Sequence, residues 1–137
     1  MIRPVAALAA LAVALAAAGC GGTGNAAPGS ADLANGKQLF VSSCGVCHTM
    51  SEAKTHGTVG PNLDFAYVGD RVQGMKATSF ESMVREQIAS PDPYGAMPAN
   101  VVKGSDAQDV AAYVASVAGL QLAAQEKTQN NLSTTPE

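Results

Sequence analysis

The hydrophobic and polar positions between residues 32 and 120 repeat with the spacing of an amphipathic helix in three separate segments. No segment shows the sustained alternation of apolar and polar residues that a half-buried strand requires. The stretches between the segments contain most of the glycines and prolines of this region, which are residues of turns and loops. The pattern therefore predicts an all-α domain whose helices are joined by long loops, without an internal repeat.

The first predicted helix begins after Asp32, whose side chain can cap its free N–H groups, and runs to about Ser42. Its expected apolar face carries Leu33, Gly36 and Phe40, with Val41 beside them. Glycine in a helix interior costs about 1 kcal/mol relative to alanine. Its presence on this face therefore indicates that another backbone passes close to Gly36.

The other two predicted helices each begin with a capping box, a Ser or Thr followed three residues later by Glu or Gln. The second helix starts at Thr78–Glu81 and ends at Ser90, because Pro91 disfavours helical geometry in the residue before it. The third starts at Ser105–Gln108 and ends near Gly119. The apolar faces are Phe80, Met83, Val84, Gln87 and Ile88 in the second helix and Val110, Tyr113, Val114 and Val117 in the third.

The N-terminus has the pattern of an export signal rather than of a membrane span. Arg3 precedes an apolar run from Val5 to Ala18, which is shorter than the ~20 residues that cross a bilayer as a helix. The small residues before Cys20 resemble the lipobox of bacterial lipoproteins, although Ala17 stands where that motif favours leucine. We therefore predict a signal peptide at residues 1–19 and a lipidated Cys20. The alternative is an ordinary cleavage site that leaves a free thiol.

Composition defines the other segments. Residues 20–31 are rich in Gly and Ala and predict a flexible tether, and residues 121–137 predict a polar, disordered tail, which leaves residues 32–120 as the folded domain. Hydrophobic residues make up 47% of the chain, but aromatics only 4%, with no Trp, so a domain this small lacks apolar area for its core. A net charge of −3 argues against a nucleic-acid partner. We expect a bulky apolar group to complete the core.

The candidate chemistry lies just after the first helix, in the sequence Cys44-Gly45-Val46-Cys47-His48. Positions i, i+3 and i+4 share one face of a helical turn, so both thiols and the imidazole point the same way. Two thiols so placed can add across the vinyl groups of one haem while the histidine binds its iron. The pattern predicts one haem c attached covalently at Cys44 and Cys47, with His48 as an iron ligand.

Three other interpretations of this motif are open. A thioredoxin-like redox pair would lie within a βαβ pattern, which the sequence lacks. A zinc site needs four ligands, so His56 would have to join three ligands crowded into five residues. A disulfide between Cys44 and Cys47 would close a loop too short to stabilise the fold much.

A second iron ligand must come from another part of the chain, or that face of the iron stays open. The candidate side chains are Met50, Met75, Met83, Met97 and His56. The first lies too close to the motif to reach the opposite face of a porphyrin, and Met83 lies on an apolar helix face where a core role is expected. Met97 lies in Pro93–Pro98, whose prolines stiffen it into a strap that can hold a thioether. Met75 and His56 remain open.

The segment from about Asp32 to Leu120 resembles class I cytochrome c, the small monohaem type. The resemblance rests on five motifs in order: Gly36…Phe40, Cys44-x-x-Cys47-His48, Gly60-Pro61-Asn62-Leu63, Tyr94-Gly95-Ala96-Met97-Pro98 and the helix with Tyr113. It implies an all-α fold of about three to five helices wrapped around one covalent haem. In that fold the first and last helices cross near Gly36, where Phe40 packs against Tyr113.

The same resemblance implies two further roles. The carbonyl of Pro61 accepts a hydrogen bond from the ring N–H of His48, which fixes the tautomer of this ligand. Met97, directly before a proline, is the axial methionine. With both axial positions filled, the iron offers no site to oxygen or peroxide and changes between Fe(II) and Fe(III) with little rearrangement.

These features predict an electron carrier rather than an enzyme. We expect it on the outer face of a bacterial cytoplasmic membrane, held by its lipid anchor and shuttling electrons between membrane-bound donor and acceptor complexes. The alternatives are a haem subunit fixed in an oxidase or dehydrogenase complex, and a haem enzyme or gas sensor with a labile sixth ligand. Lys37 and Lys54 are the basic residues nearest the motif, so a lysine-rich docking ring is not evident.

Overall fold

The computed structural model describes residues 30–133, so that the predicted signal peptide, Cys20 and most of the tether lie outside the described residues. The elements in chain order are α1 (Leu33–Leu39), a π-helix (Phe40–Cys44), β1 (Thr49–Met50), β2 (Thr55–His56), α2 (Leu63–Ala66), α3 (Val68–Val72), α4 (Ala77–Ala89), α5 (Gly104–Val117) and α6 (Leu120–Ser133). The two short strands pair antiparallel. The predicted all-α class is confirmed, and within residues 30–133 no helix is both long and apolar enough to cross a membrane.

The first helix begins where the sequence places it and ends earlier. The side chain of Asp32 accepts hydrogen bonds from the N–H groups of Ala34 (2.9 Å) and Asn35 (3.0 Å). The α-helical pattern stops at Leu39 rather than near Ser42, and the chain continues as a π-helix in which the N–H of Gly45 donates to the carbonyl of Phe40 (2.7 Å).

Of the apolar face expected on the first helix, only Gly36 and Phe40 are buried. Leu33 and Val41 are 47% and 46% exposed, so their predicted place in the core is wrong. The buried side of this segment faces α5, the element that α1 contacts most.

That close approach is the helix crossing which the resemblance implies. A Cβ atom on Gly36 would overlap the backbone carbonyl of Asp109 in α5 and lie 2.9 Å from the Cβ of Tyr113. One turn further along the chain, at the start of the π-helix, the ring of Phe40 meets the ring of Tyr113 edge to face, with centroids 5.9 Å apart. The crossing is thus present, with α5 as the second helix.

Helices α4 and α5 pack against each other and supply much of the core. Phe80, Val84 and Ile88 are buried as predicted, whereas Met83 on the same helix is 39% exposed, so its expected core role is wrong. The two predicted capping boxes are also wrong. The helices begin at Ala77 and Gly104, after Lys76 and Lys103, neither of which makes a side-chain capping bond.

The C-terminal region differs most from the prediction. Instead of a fraying tail after residue 120, the chain forms the fourteen-residue helix α6, which packs on α2 and α3. The positive φ of Gly119 (70°) ends α5 and turns the chain into α6. Alanine, leucine, glutamine and glutamate are good helix formers, and burial of Ala123 (3% exposed) fixes the first turns against the domain.

Candidate haem-attachment site

The Cys-x-x-Cys-His motif lies where the π-helix passes into a tight turn. Cys44 ends the π-helix, and its carbonyl accepts hydrogen bonds from the N–H groups of Cys47 (3.0 Å) and His48 (2.9 Å). Bonds of this span belong to a helical turn, which brings positions i, i+3 and i+4 to one side of the backbone. The backbone of the motif therefore has the form that the spacing predicts.

Both cysteines of the motif are free thiols, Cys44 buried and Cys47 half-buried. Burial, and to a smaller extent the neighbouring Cys47, raises the pKa of the Cys44 thiol to about 11. A thiol–disulfide catalyst needs the opposite, a cysteine with a lowered pKa that is a thiolate at neutral pH. The electrostatics of the motif therefore oppose the thioredoxin-like interpretation, and the two cysteines form no disulfide.

The imidazole of His48 is held by the loop that follows the motif. Its Nδ1 lies 2.9 Å from the carbonyl oxygen of Pro61. A carbonyl can only accept, so Nδ1 carries a proton and donates it, and in the neutral ring the lone pair is then on Nε2. This is the contact that the resemblance implies for Pro61. A neutral ring with its lone pair on Nε2 is the form that binds a metal ion.

Gly60 makes room for that ring. A Cβ atom at this position would lie 2.5 Å from Cε1 and 2.8 Å from Nδ1 of His48, closer than real Cβ contacts come. The N–H of Gly60 donates to the carbonyl of Cys47 (2.8 Å), which ties the loop to the motif. The glycine thus lets the backbone lie flat against the imidazole and carry the Pro61 carbonyl to Nδ1.

The zinc interpretation finds no support in the geometry. In the part of the chain that the structure describes, no group of three or more His, Cys, Asp or Glu side chains is placed to hold a metal ion. His56, the proposed fourth ligand, is exposed on β2, where it pairs with Thr49.

The candidates for a second iron ligand differ in burial. Met50 is completely buried in the core, and Met83 lies on the surface of α4. Met75 and Met97 are both half-buried. Met97 packs against the core cluster, in the segment between α4 and α5. Burial therefore leaves Met75 and Met97 as the methionine candidates for the second iron ligand.

Sequence reasoning missed a polar network that ties the site to the helix crossing. The hydroxyl of Tyr113 donates to the carboxylate of Glu52, four residues after His48, and the Nζ of Lys37 lies 2.7 Å from the other carboxylate oxygen. These hydrogen bonds, with that from Lys37 the stronger influence, lower the pKa of Glu52. The motif loop is thereby fastened to α1 and α5. A lone glutamate in a loop carries no sequence signal for such pairing.

Sequence reasoning also missed Arg71, a cation that is only 9% exposed. Its guanidinium donates to the carbonyls of Ala118 (3.1 Å) and Ala115 at the end of α5, and it lies 4.1 Å from the ring centroid of Phe80. Burial lowers the pKa of Arg71. The residue joins α3, α4 and α5 beside the start of α6.

The donor set fits a covalently bound haem. Two free thiols one helical turn apart are the groups that attach the porphyrin, and a neutral imidazole and a thioether are axial ligands that haem iron accepts. The imidazole is already oriented, the thiols are unpaired with each other, and a half-buried methionine is available.

Comparison with known protein families agrees with this fit. The family model described as "Cytochrome c" matches residues 33–118. Among solved structures, the c-type cytochrome SorU from Sinorhizobium meliloti is similar to this chain, with 33% sequence identity and a TM-score of 0.47. The similarity covers 64% of this chain and 91% of that one.

Proposed function

The chain belongs to the cytochrome c family, whose model matches more than half of its length, and we propose that it is an electron carrier with its haem iron held between His48 and Met97. The family's cofactor is a covalent haem c. When bound, this group supplies an iron that takes up and releases one electron. The protein's own residues would attach the group and ligate the metal.

The observation that carries the proposal is the hydrogen bond from His48 Nδ1 to the carbonyl of Pro61 (2.9 Å). It fixes the tautomer and the ring angle, so Nε2 is the atom left to bind iron. Because Gly60 lies directly against the ring, the imidazole cannot rotate toward the loop. A histidine held this way binds a metal without first losing conformational freedom.

Cys44 and Cys47 fit the attachment step. They would hold the haem through thioether bonds, in which the S–H of each thiol adds across one vinyl group so that no oxidant is consumed. The step needs two reduced thiols on one side of a turn, and the motif provides them.

Met97 is our proposal for the second axial ligand. It is half-buried and packs against the core cluster, and prolines on either side limit the conformations of its strap. A thioether opposite an imidazole raises the reduction potential relative to two stronger donors and leaves no open site for a substrate. This ligation favours electron transfer over catalysis.

The purified full-length protein tests the proposal directly. We expect an alkaline pyridine assay to find one covalent haem per chain, and the oxidised protein to show the weak long-wavelength band of a thioether–iron bond. Met97→Ala should lose the band and bind carbon monoxide once reduced, whereas the control Met83→Ala, on the surface of α4, should keep the band.

Other results would favour the alternatives. A wild-type protein without the thioether band that binds carbon monoxide avidly would indicate a haem enzyme or gas sensor. Co-elution with other proteins at fixed stoichiometry from gently solubilised membranes would indicate a fixed subunit of an oxidase or dehydrogenase complex. A colourless chain would contradict the proposal as a whole.

We further propose that the domain works outside the cytoplasm, anchored by lipid on Cys20, and exchanges electrons with membrane-bound donor and acceptor complexes. Domains of this family are typically exported. Val46, between the two cysteines, is 72% exposed, and the charge of Lys37 is paired with Glu52. Cys20→Ser should move the haem protein from the membrane fraction to the soluble fraction; retention in the membrane would contradict lipid anchoring.

A further inference from the structure

The strap that carries Met97, residues 91–100, is held at its N-terminal end by a turn. The carboxylate of Asp92 accepts a hydrogen bond from the N–H of Tyr94 (2.9 Å), and its backbone carbonyl accepts one from the N–H of Gly95 (2.9 Å). The prolines at 91, 93 and 98 have no N–H to donate. With so few donors of its own, the strap depends on the contacts at its ends.

Asn100 makes the contacts at the other end. Its backbone N–H donates to the carbonyl of Ile88 (2.7 Å), and its side-chain amide lies 3.4 Å from the carbonyl of Ala89. Both carbonyls belong to the last turn of α4, where a helix leaves its C=O groups without internal partners. Ile88 is 3% exposed, so this attachment point belongs to the rigid core.

Asn100 has a backbone conformation that suits this contact and that few other residue types adopt readily. Its φ is 56°, in the left-handed region that asparagine and glycine enter far more readily than other residues. The conformation reverses the direction of the chain directly after Pro98 and Ala99, so that the amide of Asn100 points back at α4 while Val101 and Val102 return to the core.

We propose that Asn100 is a positioning residue for the iron–thioether bond. By fastening the strap to the last turn of α4, it keeps Met97, three residues earlier, against the core. The inference rests on the proposed function, because it requires Met97 as a ligand. Loosening this attachment makes the state with a displaced Met97 more populated, and an external ligand then binds the iron more tightly by the same factor.

Imidazole is the probe, titrated into the oxidised full-length holoprotein while the thioether band is followed. Asn100→Ala removes the side-chain amide and leaves a residue that disfavours the left-handed backbone, so we expect about tenfold tighter imidazole binding. Asn100→Gly also lacks the side-chain amide, but it favours positive φ and so leaves the backbone N–H on the carbonyl of Ile88, and its affinity should stay within about threefold of wild type. Tyr94→Ala, in the same strap with a side chain 97% exposed, should match wild type.

Each outcome decides the matter. Unchanged imidazole affinity in Asn100→Ala, or an equal rise in Tyr94→Ala, overturns the role of Asn100 while the proposed function stands. Absence of the thioether band from the wild-type protein overturns both. Thermal unfolding of each holoprotein without imidazole separates strap opening from global loss of stability, because a general destabilisation would lower the midpoint without the selective rise in affinity.

Discussion

Gly36 and Gly60 make two close approaches around the site possible, because each leaves the place of a side chain to another group. At Gly36 that group is the backbone of α5, and at Gly60 it is the ring of His48. The first approach lets two helices cross at backbone distance, and the second lets a loop support a metal ligand. Both are steric requirements, so each can be tested by a Gly→Ala substitution, which adds a single methyl group.

Gly36→Ala should lower the free energy of unfolding by about 1–3 kcal/mol, the cost of overpacking a close contact. The added methyl would overlap the carbonyl of Asp109, a backbone atom that can move only if α5 moves. Denaturant unfolding of the holoprotein measures the change, and haem content should stay at one per chain. Gly69→Ala in α3 is the matched control, since its Cβ would meet nothing within 4 Å, and it should leave stability unchanged or raise it by about 0.4–1 kcal/mol. Equal stabilities of the two variants would contradict the tight crossing.

At the scale of elements, the helices with strong apolar periodicity could be predicted and their beginnings could not. Apart from Met83, the buried faces of α4 and α5 follow the sequence pattern, and α4 ends at Ala89 with Ser90 as its C-cap before Pro91. A capping box contributes only about 1 kcal/mol. The packing of α4 on α5 outweighs that preference and sets where each helix starts, so Thr78 and Ser105 do not cap.

Helix α6 could not be predicted for a related reason. Its sequence has few apolar positions, and Leu132 is 73% exposed, so no stripe distinguishes it from a polar tail. What holds it is the contact of its first turns with α2 and α3, at a junction where a Cβ on Gly119 would already lie 3.1 Å from the backbone of Tyr67. Docking of this kind depends on the finished domain rather than on local periodicity.

The docking of α6 gives a prediction of its own. Ala123→Asp places a charge at a 3% exposed position and should cost about 2 kcal/mol, a cost limited because α6 can detach and expose the carboxylate. Limited proteolysis of the holoprotein should then cut within α6 first, while the haem spectrum stays unchanged. The neighbouring Ala124→Asp, at an exposed position of the same helix, is the control and should behave as wild type. Equal protease resistance of the two variants would show that α6 is not held through Ala123.

At the scale of the whole molecule, the haem-attachment motif could be predicted from the sequence. The polar contacts that join distant parts of the chain could not. The haem motif is five consecutive residues, so its chemistry shows in local spacing. By contrast, Asp109 accepts hydrogen bonds from the N–H of Asp32 (2.9 Å) and the side chain of Asn35 (2.8 Å), partners more than 70 residues away. The bond from Arg71 to Ala118 spans 47 residues. Nothing in one sequence links such positions, because any exposed polar residue has the same local appearance.

The Tyr113–Glu52 hydrogen bond is the long-range contact whose contribution depends on pH. Burial first, and then the bond to Glu52, raises the pKa of Tyr113 above its ordinary value of 10.0. The folded state therefore keeps the hydroxyl protonated where the unfolded chain would release it. The stabilisation is complete below about pH 10 and is lost as the pH rises from there toward the folded pKa. On the acid side, the lowered pKa of Glu52 means that its share is present above its ordinary pKa of 4.5 and is lost as the pH falls through the folded value.

Tyr113→Phe should accordingly lower the free energy of unfolding by about 1 kcal/mol at pH 7, the net worth of one hydrogen bond to a partly solvated carboxylate. Its ring still packs against Phe40, so the loss reports on the hydroxyl alone. The difference from wild type should shrink above pH 10, because ionisation in the unfolded chain removes the advantage of the tyrosine. Denaturant unfolding at neutral and alkaline pH measures both quantities. Tyr94→Phe, at a residue 97% exposed, should follow the wild-type curve throughout. A Tyr113→Phe difference that stays constant between pH 7 and pH 11 would show that the hydroxyl does not link the motif loop to the helix crossing.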